Sequence, residues 1–402
     1  MPTPTPIHGT PRLIALLGLV SAIGWVGGVM YAPALPELAR DLATTPSGAQ
    51  HSLTVFVAVF GVAPLIIGPL TDRHGRRVVM LSGLVLYGVG SIGAALSQSL
   101  EWLLVARIVQ AAGAAVPMTV ARAVARDVWS FAEVRRPMAL IVGFSAMAPA
   151  LSLATGGFVA AALGWRGVFW TSAALAFLFA GLCALRLPET HPDRNLALYG
   201  GWQVFRNYGV LLRSKFFVAI AIAQGFLGGA IFIIMTGAPF VVLGRMGIGP
   251  EVFGLLTAWL PGGFFLGNLA AGVITNRLSI ARLTALGCLI STIAAGTLFA
   301  ITFTDALTLA ALYICVACYT FGFGMMLPST TAAAIEVRPE TAGTAAALLS
   351  STQQGFSALA SLLVSQVESG PGFGMVASFA AMVAAGALAV AAAARWTPRR
   401  MG

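Results

Sequence analysis

Charge is scarce in this chain. Only 9% of its 402 residues are Asp, Glu, Lys or Arg, while 58% are hydrophobic and the mean hydropathy is +0.90. A soluble domain carries about 25% charged residues to wet its surface, so this composition excludes one. Acids are the rarest charges: the thirteen fall at 37, 41, 72, 101, 127, 133, 189, 193, 251, 305, 336, 340 and 368, each at or near the end of an apolar run. No carboxylate is therefore expected at mid-membrane depth. Histidine and cysteine are almost as rare. His8, His51, His74 and His191 lie near run ends or in loops and form no ligand spacing, and Cys183, Cys288, Cys315 and Cys318 all sit inside apolar runs. Cys315 and Cys318 form a CxxC without a second ligand pair, so no metal site is expected. An intramembrane enzyme needs a nucleophile, a metal set or an acid and base at one depth, and none is present. No cofactor is expected, and the lack of a nucleotide-binding loop excludes direct ATP drive. A sensor would append a signalling domain, but the longest loop is about thirty residues.

What the chain has instead is length without charge. Eleven stretches contain no charged residue: 13–36, 42–71, 78–100, 137–165, 167–185, 216–244, 252–276, 283–304, 306–335, 341–367 and 369–394. A membrane-crossing helix needs roughly 20 mainly apolar residues, and unalternating runs of this kind are helical because hydrocarbon offers the backbone no partners. A twelfth run, 102–125, has the same character but carries Arg107 and Arg122. The expectation is an all-α membrane protein of twelve transmembrane helices. The first run is too long for a signal-peptide core, and Pro33 and Pro36 are expected to end it. Residues 1–6, MPTPTP, are read as a disordered tail.

The net charge of +10 and pI of 10.3 are explained by topology, with no need for a nucleic-acid partner. With the N-terminus in the cytoplasm, eighteen of the 23 basic residues fall on that side: Arg12, Arg73, Arg76, Arg77, Arg126, Arg135, Arg136, Arg186, Arg194, Arg206, Arg213, Lys215, Arg277, Arg282, Arg338, Arg395, Arg399 and Arg400. Arg40, Arg166 and Arg245 fall outside. This asymmetry places both termini of a multi-pass membrane protein in the cytoplasm. Residues 186–215 are the most charged segment and divide the chain into an N-terminal six-helix half, 1–185, and a C-terminal six-helix half, 216–402. Such 6 + 6 pseudo-symmetry is how many transporters are built, with the substrate site between the halves at mid-depth. GVITNRLS at 272–279 weakly echoes GPLTDRHG at 68–75, with Asn276 in place of Asp72.

The stretch GPLTDRHGRR carries a specific pattern in Gly68, Leu70, Asp72, Arg73, Gly75, Arg76 and Arg77. It resembles the loop motif of the major facilitator superfamily. Gly68 would let two helices approach, Gly75 would permit a tight turn, and Asp72 would meet a cation or helix N-terminus across the gap between halves. LLVARIVQAAGAA, with Arg107, Gln110 and Gly113, is similar to the superfamily's helix 4 motif. ARAVARDVW, GFGMMLPSTTAAA, AGTAAALLSSTQQG, YAPALPELA, WRGVF and LPET resemble the Bcr/CflA branch of drug-resistance antiporters. The resemblance covers nearly the whole chain. It implies that the 68–77 cluster, with Arg126 and Asp127, biases a cytoplasmic gate.

Two departures matter. Val29 stands where that branch commonly has a helix 1 acid, and LATGG at 153–157 keeps Pro149, Gly156 and Gly157 of the helix 5 antiporter motif but has Leu153 for its second proline. A charged side chain at bilayer depth costs at least about 2.5–3.5 kcal/mol, so Arg107 is the first candidate to face a cavity, with Gln110 one turn on. A bare Arg107 there would favour anionic or zwitterionic cargo. Arg122 reads equally as a snorkelling cation or a functional one. Tyr31, Met147, Phe226, Phe232, Trp259, Asn268, Gln353 and Phe356 are the further candidates for the cavity wall, each also readable as packing. The expected function is secondary transport of a small molecule by a monomer: export of amphipathic drugs or secreted metabolites such as siderophores by alternating access. Three routes are open for its drive: proton coupling through Asp72, Asp127 or Glu37, protonation of the cargo, or a carrier that protons do not drive. Import or uniport on the same scaffold is the alternative.

Overall fold

The computed structural model describes residues 10–130, 133–190, 208–244, 246–274, 278–304, 306–337, 342–366 and 372–396. Among these residues every regular element is helical. Thr10, Thr45, Ser99, Ser214, Ser279 and Thr308 each accept the amide three residues on and so start a helix. Such caps satisfy amide donors that a helix cannot satisfy itself.

The first half runs α1 (Pro11–Val29), α2 (Pro46–His74), α3 (Arg76–Ala95) and α4 (Leu100–Val128), then one continuous run, Arg135–Arg186. Pro33 and Pro36 do not end α1 outright. They turn it through a 3-10 segment, Ala32–Ala34, into a short helix, Leu35–Asp41. Inside Arg135–Arg186, Gly164 has φ 67° and ψ −177°, which only glycine adopts readily, and this kink splits the run into α5 (135–163) and α6 (165–186). The second half runs α7 (Lys215–Val242), α8 (Pro250–Ile274), α9 (Ile280–Phe303), α10 (Leu309–Glu336), α11 (Ala342–Gln366) and α12 (Phe373–Ala394). Among the described residues ten runs, counting α5–α6 as one, are long and apolar enough to cross a membrane. The helix α11 falls outside that set because Ser350, Ser351, Thr352, Gln353 and Gln354 lower its hydropathy. The chain is a multi-pass membrane protein.

Packing partners repeat with an offset of six. Helix α4 packs on α3 and α2 as α10 packs on α9 and α8, and α3 packs on α6 as α9 packs on α12. The hydroxyls of Ser21 and Ser145, 2.7 Å apart, join α1 to α5, as α7 joins α11. One apolar core is built mainly on α1–α6 and another mainly on α7–α12. The two sets meet through α2 against α11 and α5 against α8, pairs that the same offset exchanges. Outward faces carry exposed Val62, Ile66, Leu86, Leu289 and Ile314, as a lipid-facing surface requires.

Candidate functional site

Between the two sets lies a cavity of about 390 Å³ to which both halves contribute. Phe60 of α2, Phe232 of α7, Phe264 of α8 and Phe323 of α10 give it aromatic walls, and Trp25 of α1 packs on Phe60 with ring centroids 5.8 Å apart. Val29, Pro149 and Leu153 line it too, so both departures from the resembled pattern sit in its wall. Its polar side is Ser145, Thr320, Ser350, Gln353 and Gln354, and among the described residues Arg122 is the one charged residue that lines it. Of the expected wall residues, Phe232 and Gln353 line this cavity.

The others lie elsewhere. Phe226 and Phe356 pack edge-to-face with centroids 4.7 Å apart, and Phe356 presses on Gly225. Asn268 donates to Phe264 O of its own helix at 3.0 Å. Met147 is 69% and Trp259 75% exposed, facing outward, although Ala146, Leu260 and Pro261 beside them face inward. Those two expectations missed by about one residue of helical phase.

Arg107 is also outside the cavity and fully buried. Its Nη1 donates to Gly27 O at 2.7 Å and to Gln110 Oε1 at 2.5 Å, and its Nε donates to Ser52 O at 3.2 Å. Gly27 lies in the last turn of α1, where carbonyls lack an intrahelical donor, so Arg107 caps the end of the broken helix. The guanidinium carbon sits 4.4 Å from the Tyr31 ring centroid and 4.2 Å from that of Phe56. Gln110 hands the network on, donating to Ser91 Oγ at 2.8 Å, while the Tyr31 hydroxyl meets Ser52 Oγ at 2.9 Å. Tyr31, Arg107 and Gln110 thus come together as a buried joint between α1, α2 and α4.

The 68–77 motif forms a second cluster at the end of the bundle where α2 meets α3. Gly75 turns the chain with φ 92°, as its expected role requires. No atom approaches the Cβ position of Gly68 within 4 Å, so no helix is drawn close there. Arg76, 7% exposed, is held by Asp72 one turn back and, through Nε at 2.8 Å, by Asp127 of α4. Both partners belong to the first half, so Asp72 does not span the gap between halves in this conformation. Arg77 donates to Ala184 O at 2.6 Å, while Arg73 and Arg126 are exposed. Glu189, which sequence reasoning left without a role, accepts the amides of Arg76 at 2.8 Å and Arg77 at 3.2 Å and so caps α3. Thr190 donates to Asp127 at 3.2 Å. The signal for both was the LPET tetrad, read only as a resemblance.

At the opposite end, where α2 begins, the halves are stitched together. Gln50 Nε2 donates to Thr236 O at 3.3 Å, Thr54 Oγ1 donates to Ser361 Oγ at 2.6 Å, and His51 Nε2 lies 3.4 Å from Ser365 Oγ. A Cβ on Gly157 would collide with Pro250 O, and one on Gly156 with Met30 O. The two glycines therefore let α5 close on α8 and on the end of α1.

The family model described as Major Facilitator Superfamily matches residues 14–362. The chain belongs to the Major Facilitator Superfamily. Among its relatives in this superfamily is the uncharacterized MFS-type transporter YdgK of Bacillus subtilis (strain 168), 32% identical over 345 residues that cover 84% of each chain. Multidrug resistance protein D of Escherichia coli (strain K12) is 29% identical over 370 residues, 90% of each chain. The fold is also that of a bacterial homologue of the human lysosomal transporter Spinster, solved inward-facing and occupied, with a TM-score of 0.78, 16% identity and 98% of each chain covered. This is a transporter superfamily of small-molecule carriers, and the chain is a transporter, not an enzyme.

Proposed function

We propose that this protein exports small, partly apolar compounds, drugs or secreted metabolites, from the cytoplasm by alternating access, as proton-coupled antiport. The observation that carries the proposal is the cavity itself: aromatic and Met side chains from both halves around a few hydrogen-bonding groups suit bulky amphipathic cargo of varied shape. Likeness to a multidrug resistance protein over 90% of the chain supports the same substrate class. Residues 1–185 and 216–402 are the two moving bodies, joined by 186–215, and twelve helices cross the bacterial inner membrane with both termini in the cytoplasm. On that topology the stitched end faces outward and the state is inward-facing, ready to load from the cytoplasm. Phe232 and Gln353 contact cargo, Pro149 with Gly156 and Gly157 moves at the outer seal, and the cluster of Asp72, Arg76, Asp127 and Glu189 changes partners as the cytoplasmic end closes. The working unit is a monomer.

The test is growth of an efflux-deficient bacterial host expressing the protein against a panel of antibiotics and iron chelators, with and without an uncoupler. Raised resistance that the uncoupler abolishes is expected. Full resistance in uncoupled cells would remove the proton coupling, and hypersensitivity to the same compounds would point to import.

A further inference from the structure

The cavity's charge is one-sided, which bears on what enters it. Arg122 is the only charged residue on the wall, and no Asp or Glu lines it among the described residues. Its guanidinium forms no ion pair and no hydrogen bond among those residues, in contrast to Arg76 and Arg107, whose guanidinium groups are partnered. Met118 one turn back on α4 lines the same wall, so the helix presents this face to the chamber and Arg122 is aimed at it. Position 29, on the facing helix α1, is an apolar Val and offers no counter-charge. An arginine has five donors and cannot shed its charge, and a chamber walled by Trp25, Phe60, Phe232 and Phe264 leaves those donors to water or to cargo.

We propose that Arg122 is an anion-binding residue of the cavity, and that the cargo bears a carboxylate or similar monoanion on an aromatic or apolar body. The guanidinium holds the anion by a charge-assisted pair while the rings cover the remainder. The substrate class rests on the transport reading above, but the site is tested without it. The four native cysteines are replaced by Ala, Ser350 on the cavity wall is changed to Cys, and the protein is reconstituted into neutral-lipid nanodiscs. Labelling rates are then measured with an anionic and a cationic methanethiosulfonate, each referred to its rate with free thiol. The expected result is an anion preference that falls about tenfold in Arg122→Gln and persists in Arg122→Lys, as a fixed positive charge on the same cavity wall demands. In the second arm 2-naphthoate, but not 2-naphthalenemethanol, slows labelling, and Arg122→Gln removes that protection.

An unchanged rate ratio in Arg122→Gln overturns the inference, as does equal protection by acid and alcohol or protection by neither. Resistance conferred in cells is scored beside these variants. If Arg122→Gln leaves the rate ratio unchanged but the parent still confers uncoupler-sensitive resistance, the anion site falls and the exporter stands.

Discussion

Replacing Arg107 by Ala separates a structural joint from a cargo-binding charge. The side chain makes three hydrogen bonds, to Gly27 O, Ser52 O and Gln110 Oε1, and lies against two rings at 4.4 and 4.2 Å. Hydrogen bonds to a charged group are worth about 1.5–3 kcal/mol each, and a desolvated cation–π contact about 2 kcal/mol. Against that stands the cost of holding a guanidinium in a low-dielectric interior, so the pairwise sum overstates the net effect. Breaking a buried charged network by removing one partner costs about 3–5 kcal/mol. At about 1 °C per kcal/mol for a chain of this length, the purified variant should melt roughly 5 °C lower. Arg107→Lys restores only part of this, because an ammonium keeps the charge but loses the planar fork and the stacking. The assay is thermal unfolding in one detergent, alongside efflux at matched protein level with an anionic and a neutral cargo. Loss should fall on both cargoes alike. Wild-type melting with selective loss of the anionic cargo would contradict the structural role and return Arg107 to the cavity wall.

The remaining predictions concern the two ends of the bundle. Gly75→Val places a side chain at φ 92° and 2.5 Å from the Glu189 carboxylate, so it should cost about 1–2 kcal/mol from the backbone alone and lower export at equal expression, read by thermal shift and resistance. Glu189→Gln keeps the shape of the α3 cap but removes its charge, and should lower stability by about 1 kcal/mol in the same melt; no change would deny the cap an energetic role. Asp72→Asn weakens one of the two acids holding Arg76 and should reduce efflux; full efflux at matched expression would leave the cluster a topology signal only. Gly157→Leu wedges α5 from α8, so a cysteine at Thr54 in a Cys-free background should label faster with an impermeant reagent added outside.

Much of the scaffold is legible in the sequence, because charge-free length predicts spans independently of tertiary detail. The kink at Gly164 fell two residues before Arg166, where the charge pattern put the break, since a charge marks water while a glycine with positive φ marks the bend. Side-chain destination was less legible. Arg107 and Arg122 lie about four helical turns apart on one helix with the same chemistry, yet one is wrapped by aromatic rings and the other opens to the chamber. The difference lies in neighbours from α1 and α2 that come close only in the fold. Met147 and Trp259 sat in the right helices at the wrong phase, because in a lipid-exposed bundle apolar residues line every face and hydrophobic periodicity fades. Glu189 was missed because its partners are backbone amides 112 and 113 residues away.

Alternating access requires the halves to separate where α2 and α11 now touch. Cysteines at His51 and Ser365, whose side chains lie 3.4 Å apart, can be joined by a short thiol crosslinker in a Cys-free background. Efflux should stop as crosslinking reaches completion, and a cleavable linker should restore it on reduction. Undiminished efflux from fully crosslinked protein would contradict alternating access through this seal.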